Sequence, residues 1–299
     1  MRGRIIRGIA GFYYVQTEDG PGPDAPGKIY ECKAKGIFRK DKKKPLPGDR
    51  VELDVLDEEE AVGNICAILP RTNELVRPAV ANVDQALVIM AAASPPPSLN
   101  LLDRFLVTME QQGVPACICF NKKDLADAET LEGLRRSCLA TGYPLLFASA
   151  ATGEGVEELR HLLEGRTTTV AGPSGVGKSS LINRLQPSVR METGEISTKI
   201  ERGRHTTRHS ELIRISEGTY IVDTPGFSSI ELYGMEKEEL AGFFPEFTQW
   251  EPKCRFTGCA HRSEPGCGVK EALEAGRISR SRYDNYCQLY EELKDRRRY

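Results

Sequence analysis

The amino-acid sequence predicts a multidomain protein with an N-terminal β-barrel, a central α/β domain and a mostly helical C-terminal domain. Short apolar stretches separated by glycine and proline turns fill the first 70 residues. From Val83 onward, strands alternate with helices, which is typical of a mostly parallel sheet with helices on both faces. After Glu236 the pattern becomes helical and rich in cysteine. The expected domains are therefore residues 1–70, 71–235 and 236–299.

Five predicted strands make up the barrel: residues 3–9, 11–16, 28–33, 50–56 and 64–69. They suit a small closed barrel such as an OB-fold, although a barrel or sandwich without a ligand fits the same pattern. The strands predicted for the α/β domain are residues 85–92, 115–120, 145–148, 167–171, 211–216 and 219–222. Helices are predicted at residues 101–111 and 178–185. A final helix at residues 278–294 carries an apolar stripe of Ile278, Tyr286, Leu289, Tyr290 and Leu293.

The composition is that of a globular protein, with 39% hydrophobic and 28% charged residues among 299. The longest apolar run, residues 86–93, is far shorter than the roughly 18 residues that a membrane helix needs. Arg7 interrupts the apolar start of the chain, so no secretory signal is expected and the predicted location is the cytoplasm. Thiols stay reduced there, which favours metal binding or burial for the nine cysteines over disulfides.

Charge is unevenly distributed along the chain. The net charge is −2, yet the first 50 residues carry twelve Lys or Arg and only six acidic residues. Residues 294–299 are basic again, so the two ends favour an anionic partner such as RNA. Aromatic residues that could stack on bases, with core packing as the alternative, are Phe12, Tyr13, Tyr14 and Phe38.

A phosphate-binding loop is predicted at residues 172–179, whose sequence GPSGVGKS follows a strand and precedes a helix. Glycines let backbone amides turn toward phosphate oxygens, and the helix directs its positive N-terminus at the same anion. We expect Lys178 to reach the β- and γ-phosphates and Ser179 to bind Mg²⁺. A chance glycine-rich turn is the alternative. The expected nucleotide contacts are Gly172, Pro173, Ser174, Gly175, Val176, Gly177, Lys178, Ser179 and Ser180.

A base-reading motif, N-K-x-D, follows the strand at residues 115–120, and its members are Asn121, Lys122, Lys123 and Asp124. The Asp124 carboxylate can accept hydrogen bonds from guanine N1–H and the 2-amino group, which adenine does not offer in that pattern. The alternative is that Asp124 caps a helix. Ser149 and Ala150 resemble a third guanine element, in which the Ala150 amide would meet guanine O6.

Two switch elements are predicted around the nucleotide. Asp223 ends a strand and begins the sequence D-T-P-G, so we expect it to hold Mg²⁺ through water and the Gly226 amide to touch the γ-phosphate. Thr207, with Thr206 as the alternative, would complete the Mg²⁺ shell. In isolation, a simple Pro-Gly turn and an ordinary polar loop are the better explanations of these two stretches.

A metal site is predicted where three cysteines and a histidine fall within fourteen residues: Cys254, Cys259, His261 and Cys267. Three thiolates and one imidazole form a closed, tetrahedral zinc set, which favours a structural over a catalytic role. Unliganded reduced thiols are the alternative. The other cysteines, which the pattern places in packed strands or helices, are Cys32, Cys66, Cys117, Cys119, Cys138 and Cys287.

The order of these motifs is unusual, because the N-K-x-D and Ser-Ala elements precede the phosphate loop. With a barrel in front and a Cys/His cluster behind, the whole chain resembles the ribosome small subunit-dependent GTPase A (RsgA) family of circularly permuted GTPases. The resemblance implies an OB-fold that binds RNA, a circularly permuted α/β P-loop GTPase domain and a zinc-binding helical domain. It also implies GTP hydrolysis with Mg²⁺ in late assembly of the small ribosomal subunit, with stimulation by that subunit, binding to ribosomal RNA and nucleotide-dependent release. A monomer without membrane attachment is expected.

Hydrolysis by the isolated chain is expected to be slow. Phe227 stands where many GTPases place a water-orienting glutamine. His205 is the candidate to position water, with a loop histidine that touches solvent or phosphate as the alternative. Two other functions remain open: a nucleotide-gated RNA-binding module in which hydrolysis is incidental, and an ATP-dependent enzyme, against which Asn121 and Asp124 argue.

Overall fold

The structure, a computed structural model, describes residues 1–18, 27–34, 44–76, 78–186, 210–223, 232 and 234–295. The strands are β1 (Arg2–Ile9), β2 (Phe12–Thr17), β3 (Ile29–Ala34), β4 (Arg50–Asp57), β5 (Val62–Ile68), β6 (Glu74–Leu75), β7 (Val80–Ala81), β8 (Gln85–Ala91), β9 (Ala116–Asn121), β10 (Leu145–Phe147), β11 (Thr167–Ala171), β12 (Glu211–Ser216) and β13 (Thr219–Asp223). The helices are α1 (Leu99–Gln111), α2 (Ala128–Ser137), α3 (Val156–Leu163), α4 (Lys178–Leu185), α5 (Pro245–Thr248), α6 (Gly268–Glu274) and α7 (Arg280–Asp295). Within the described residues, every helix lacks the length and apolarity that a membrane span requires.

The chain divides into two compact units, each built from three separate segments. The first unit consists of Met1–Ala86, Arg160–Val170 and Leu185–Phe227. The second unit consists of Leu87–Leu159, Ala171–Arg184 and Ser228–Tyr299. Both units therefore depend on contacts between residues that are far apart in the sequence.

Five strands of the first unit form a closed barrel. They are hydrogen-bonded in the order β1-β2-β3-β5-β4, and β1 also pairs with β4. β3 and β5 run parallel, whereas the other pairs are antiparallel. Side chains that alternate along the strands fill the interior with Ile5, Val15, Tyr30, Cys32, Val51, Leu53 and Ile65. The predicted OB-fold is confirmed, with each strand within two residues of its predicted bounds.

A β-hairpin continues the sheet of the barrel within the first unit. β12 pairs antiparallel with both β1 and β13, so that Arg7, Glu211 and Asp223 are register partners across three strands. Arg7 Nη1 lies 3.6 Å from Glu211 Oε1. The Arg4 guanidinium lies over the Tyr220 ring of β13, 4.7 Å from its centroid. The hairpin that carries Asp223 is therefore anchored to the first strand of the barrel.

Two strands of the second unit, β8 and β9, lie deep in its core. β8 and β9 are buried along their whole length, as expected for strands of a covered sheet. β9 and β10 run parallel, and Phe120 and Phe147 stack with ring centroids 5.6 Å apart. In the first unit β11 and β13 are also parallel, whereas β12 is antiparallel to β13. The predicted mostly parallel α/β arrangement is confirmed.

The C-terminal residues pack around a cluster of aromatic rings. Phe244 and Phe247 stack at 5.2 Å, and the Tyr286 ring of α7 meets both edge-on at 5.3 and 5.1 Å. Val107 of α1 belongs to the same core, so these residues fold onto α1. The residues of the predicted stripe that are buried on α7 are Tyr286, Leu289 and Leu293.

Beside this core, α7 carries a buried arginine that the apolar pattern did not predict. Arg282 donates two hydrogen bonds to the Glu246 carboxylate, at 2.7 and 2.9 Å, and one to Asp103 of α1 at 2.6 Å. Asn285 donates to the second Asp103 oxygen at 2.6 Å. Burial raises the pKa of Asp103 despite the opposing effect of Arg282. The network links α1, α5 and α7 through groups withdrawn from water.

Replacement of Arg282 by Ala is expected to lower the free energy of unfolding by about 3–5 kcal/mol, because the Asp103 and Glu246 carboxylates would remain buried without a counter-charge. The matched control is Arg104→Ala, which removes the more exposed pair between Arg104 and Glu292 of the same two helices. That pair is expected to contribute at most about 1 kcal/mol. Urea unfolding of both variants measures the difference, and equal losses would contradict the prediction.

Candidate nucleotide and metal sites

The phosphate loop joins β11 to α4, as the sequence predicts. Gly172, Gly175 and Gly177 have φ of +141°, +79° and +88°, a region that side chains with a Cβ rarely adopt. A Cβ on Gly172 would lie 2.1 Å from the carbonyl oxygen of Ile89 on β8. The glycine positions are therefore needed both for the turn and for its close approach to the sheet.

Lys178, the first residue of α4, points back across the loop. Its Nζ donates to the carbonyl oxygens of Gly172 and Pro173, at 2.8 and 2.7 Å. Val176 is buried beneath the loop, whereas Ser174 is exposed. This is the strand–loop–helix arrangement in which backbone amides and a lysine surround phosphate oxygens.

Asn121, at the end of β9, connects the base-reading motif to the phosphate loop. Its buried side chain donates from Nδ2 to the Val176 carbonyl at 2.7 Å and accepts at Oδ1 from the Ala150 amide at 3.1 Å. A Cβ on Gly177 would lie 2.4 Å from Asn121 Nδ2. Ala150 and Val176 are 29 and 55 residues from Asn121 along the chain, so three separate motifs meet at one side chain of the second unit.

Asp124 lies in a 3-10 turn (Lys123–Leu125) and is an exposed residue. Ser149 Oγ donates to Asp124 Oδ1 and accepts from the Thr152 amide at 3.1 Å. The N-cap of α2 is Asp127, which accepts from the Thr130 amide at 2.8 Å. The alternative interpretation of Asp124 as a helix cap is therefore wrong.

The two lysines of the motif have different surroundings. Lys122 adopts a left-handed conformation with φ of +61°, and its Nζ donates to the Ser94 carbonyl at 2.6 Å. Lys123 instead pairs with Glu154. Lys122 thus reaches the segment that follows β8, whereas Lys123 supports the loop that follows β10.

Sequence reasoning missed one residue of this site, Arg184 in the last turn of α4. Its Nε donates to the Ala150 carbonyl at 2.8 Å and its Nη2 to the Ala151 carbonyl at 2.7 Å. An exposed arginine on a helix has no sequence signature for such a role, because its partners are backbone atoms 34 and 33 residues away.

The predicted switch residues are described only in part. Asp223 ends β13 in the first unit, is half-buried and lies opposite Glu211 of β12. The predicted residues that lie outside the described ones are Phe38, His205, Thr206, Thr207, Gly226 and Phe227.

The predicted metal ligands come together in the C-terminal residues. The side-chain ligand atoms of Cys254, Cys259, His261 and Cys267 all lie within 4.8 Å of one another. His261 Nδ1 is 3.6 Å from Cys254 Sγ and 3.4 Å from Cys267 Sγ, and these two sulfurs are 3.9 Å apart. A tetrahedral site with Zn–S bonds of about 2.3 Å has edges of about 3.8 Å. The cluster therefore fits a four-coordinate metal ion.

The groups around the cluster are compatible with a bound cation. Burial lowers the pKa of His261, which keeps the imidazole in its neutral, ligating form. Its other nitrogen, Nε2, lies 3.5 Å from Glu251, in the position of a carboxylate that orients a ligating histidine. Burial raises the pKa of Cys259 to about 12, so its thiolate requires a nearby positive charge. Tyr283 fixes the His261 backbone with a 2.6 Å hydrogen bond to its carbonyl.

Comparison with known proteins shows matches along the whole chain. The model of the RsgA GTPase family matches residues 68–233, and that of the RsgA N-terminal domain matches residues 2–62. The small ribosomal subunit biogenesis GTPase RsgA of Agathobacter rectalis is 61% identical, over 100% of each chain. The protein of that name from Alkaliphilus metalliredigens is 48% identical, over 100% of this chain and 99% of its own.

Solved structures also match nearly the whole chain. The crystal structure of YjeQ from Thermotoga maritima has a TM-score of 0.81 and 37% identity, over 99% of each chain. The structure of YloQ, described as a circularly permuted GTPase, has a TM-score of 0.78 and 36% identity, over 100% of this chain and 96% of its own.

Proposed function

Because this chain belongs to the RsgA family of GTPases, we propose that it hydrolyses GTP to GDP and phosphate as a factor in biogenesis of the small ribosomal subunit. The observation that carries the proposal is the position of Asn121, which holds the guanine motif against the phosphate loop by bonds to Val176 and Ala150. One nucleotide could then be gripped at its base and its phosphates together. This arrangement favours a guanine nucleotide over the ATP of the alternative function.

The base is proposed to be read by Asp124 and Ala150. The Asp124 carboxylate would accept from guanine N1–H and the 2-amino group, and the Ser149 hydroxyl would hold it in place. The Ala150 amide would donate to O6. Replacement of guanine by adenine would leave these polar groups unpaired, which is the strongest basis for rejection.

The phosphates are proposed to be bound by residues 172–180, with Lys178 at the β- and γ-phosphates. Ser179 and Thr207 would ligate Mg²⁺ directly. Asp223 would instead hold the ion through a water molecule. When bound, Mg²⁺ neutralises charge on the phosphates. The Gly226 amide would contact the γ-phosphate, and His205 would position the attacking water in place of the glutamine that Phe227 replaces.

Zinc is the metal proposed for the Cys/His cluster. Three thiolates and an imidazole select zinc over magnesium or calcium, and four protein ligands leave no open position for catalysis. Its proposed role is therefore to hold together the residues between Glu251 and α6.

Small-subunit ribosomal RNA is the proposed partner of the barrel. Phe12 and Tyr14 lie on the outer face of the barrel. The Lys33 ammonium lies 5.1 Å from the Phe12 ring centroid, and the Arg7 guanidinium lies 4.2 Å from the Tyr14 ring centroid. Tyr13 instead packs against the barrel core. Phe12 and Tyr14 are thus the better placed to meet bases. The remaining proposals are domain boundaries after residues 70 and 235, a monomer and a cytoplasmic location.

Isolated small ribosomal subunits are expected to raise GTP turnover by the purified chain roughly tenfold or more, because a partner must complete a site that lacks the usual glutamine. Phosphate release with and without small subunits measures this, with large subunits and Lys178→Ala as controls. Stimulation by large subunits alone, or none by either, would count against the proposed partner. If the chain bound to a non-hydrolysable GTP analogue leaves small subunits as the GTP-bound chain does, hydrolysis is incidental and the RNA-binding alternative is favoured.

A further inference from the structure

The loop that follows β10 is held by an arginine from the phosphate-loop helix. Arg184 directs two N–H groups of one guanidinium at consecutive carbonyls, Ala150 at 2.8 Å and Ala151 at 2.7 Å. Because the guanidinium is planar and rigid, this pair of bonds fixes the orientation of both peptide planes as well as their position.

The same loop is held from its other side by the base-reading motif. The Ala150 amide donates to Asn121 Oδ1 at 3.1 Å, and Ser149 Oγ donates to Asp124. These two bonds restrain the start of the loop, whereas Arg184 restrains the carbonyls of Ala150 and Ala151. The loop is thus held between β9 and α4.

We propose that Arg184 is a positioning residue for guanine recognition, which keeps the Ala150 amide directed at the 6-oxygen of the base. The inference rests on the proposed function, since it assigns a cause to the base specificity of that site. Arg184 contacts the loop and acts through it. Its location on α4 also ties the base-reading loop to the helix that follows the phosphate loop.

The expected effect is moderate. Arg184 is exposed, so water replaces part of what its removal takes away. We expect Arg184→Gln to weaken GDP binding roughly three- to tenfold, which corresponds to about 0.7–1.4 kcal/mol. Arg184→Lys, which keeps the charge and one donor direction, is expected to recover part of the loss.

The test compares GDP, 6-thio-GDP and inosine diphosphate by competition binding to the full chain. 6-Thio-GDP replaces the 6-oxygen by a poorer acceptor, and inosine diphosphate lacks only the 2-amino group that Asp124 would read. We expect Arg184→Gln to bring the affinity ratio of GDP to 6-thio-GDP toward one and to leave the ratio of GDP to inosine diphosphate unchanged. The matched control, Arg160→Gln, removes an arginine bond to the Leu185 carbonyl at 2.9 Å and is expected to change neither ratio.

Three outcomes would overturn the assignment of Arg184. The unaltered chain could bind GDP and 6-thio-GDP equally, Arg184→Gln could keep the ratio unchanged, or both ratios could fall together. The last result would indicate general loosening of the site. If Arg184→Gln does not fold by thermal melting, Arg184→Lys carries the same comparison. Failure of the unaltered chain to prefer GDP over ADP would instead refute the proposed guanine site itself.

Discussion

Asp124→Asn is expected to move the preference of the protein from guanine to xanthine nucleotides. The carboxylate would accept from N1–H and the 2-amino group of guanine, whereas an amide offers a donor that suits the 2-oxygen of xanthine. Because a bound base would cover the exposed Asp124 side chain, a polar mismatch there is expected to reduce GDP affinity by a factor on the order of 10²–10⁴. Ser149 can still donate to the amide oxygen of the substituted side chain, so the neighbouring loop should keep its position. Competition binding of GDP and xanthosine diphosphate measures the exchange.

A matched control is available three residues along the chain. Asp127→Asn makes the same chemical change at the N-cap of α2, where Asn is as good a cap as Asp. That variant is expected to keep its guanine preference and its stability. Undiminished GDP binding by Asp124→Asn, or equal losses in the two variants, would show that Asp124 does not read the base.

Removal of the metal is expected to lower the free energy of unfolding of the C-terminal residues by several kcal/mol. The ion would cross-link the backbone segments that carry its ligands, and without it the clustered thiols would lie together with no cation to bind them. The purified chain should contain one zinc ion, and Cys254→Ser should contain none. Trp250, the single tryptophan of the chain, packs against the aromatic core of the C-terminal residues, beside the cluster. Its emission should therefore change on chelation, which metal analysis and fluorescence together can follow.

Cys287→Ser provides the control, since Cys287 lies on α7 in the same core but is not one of the clustered ligands. It is expected to keep the metal and the Trp250 emission of the unaltered chain. Unchanged emission after metal analysis has shown complete removal would mean that the ion does not support the fold here.

The local features of the fold could be predicted because their causes lie in short stretches of sequence. The barrel strands follow from alternating apolar residues, and the phosphate loop follows from glycines whose positive φ the structure confirms at Gly172, Gly175 and Gly177. The Cys/His spacing likewise predicted a cluster that the structure brings together. By contrast, α2, which buries Leu134 and Ser137, was not among the predicted helices.

Features that depend on distant residues could not be predicted in this way. Arg282 occupies the buried face of α7, where an apolar pattern assigns charged residues to solvent, and only the carboxylates of Asp103 and Glu246 explain it. Arg184 is similar, because its partners are backbone carbonyls. The Asp124 helix-cap alternative was a local ambiguity, and the structure decided it by placing Asp127 at the cap.

The pairing of β1 with β12 has a consequence for biosynthesis. Arg7 leaves the translating ribosome well before its register partner Glu211, which is made roughly 200 residues later, a delay of about 10–40 s at 5–20 residues per second. The five barrel strands can close during this interval, while the distal half of β1 keeps one edge hydrated. A nascent chain arrested before β12 would expose that edge to chaperones or to a second nascent chain.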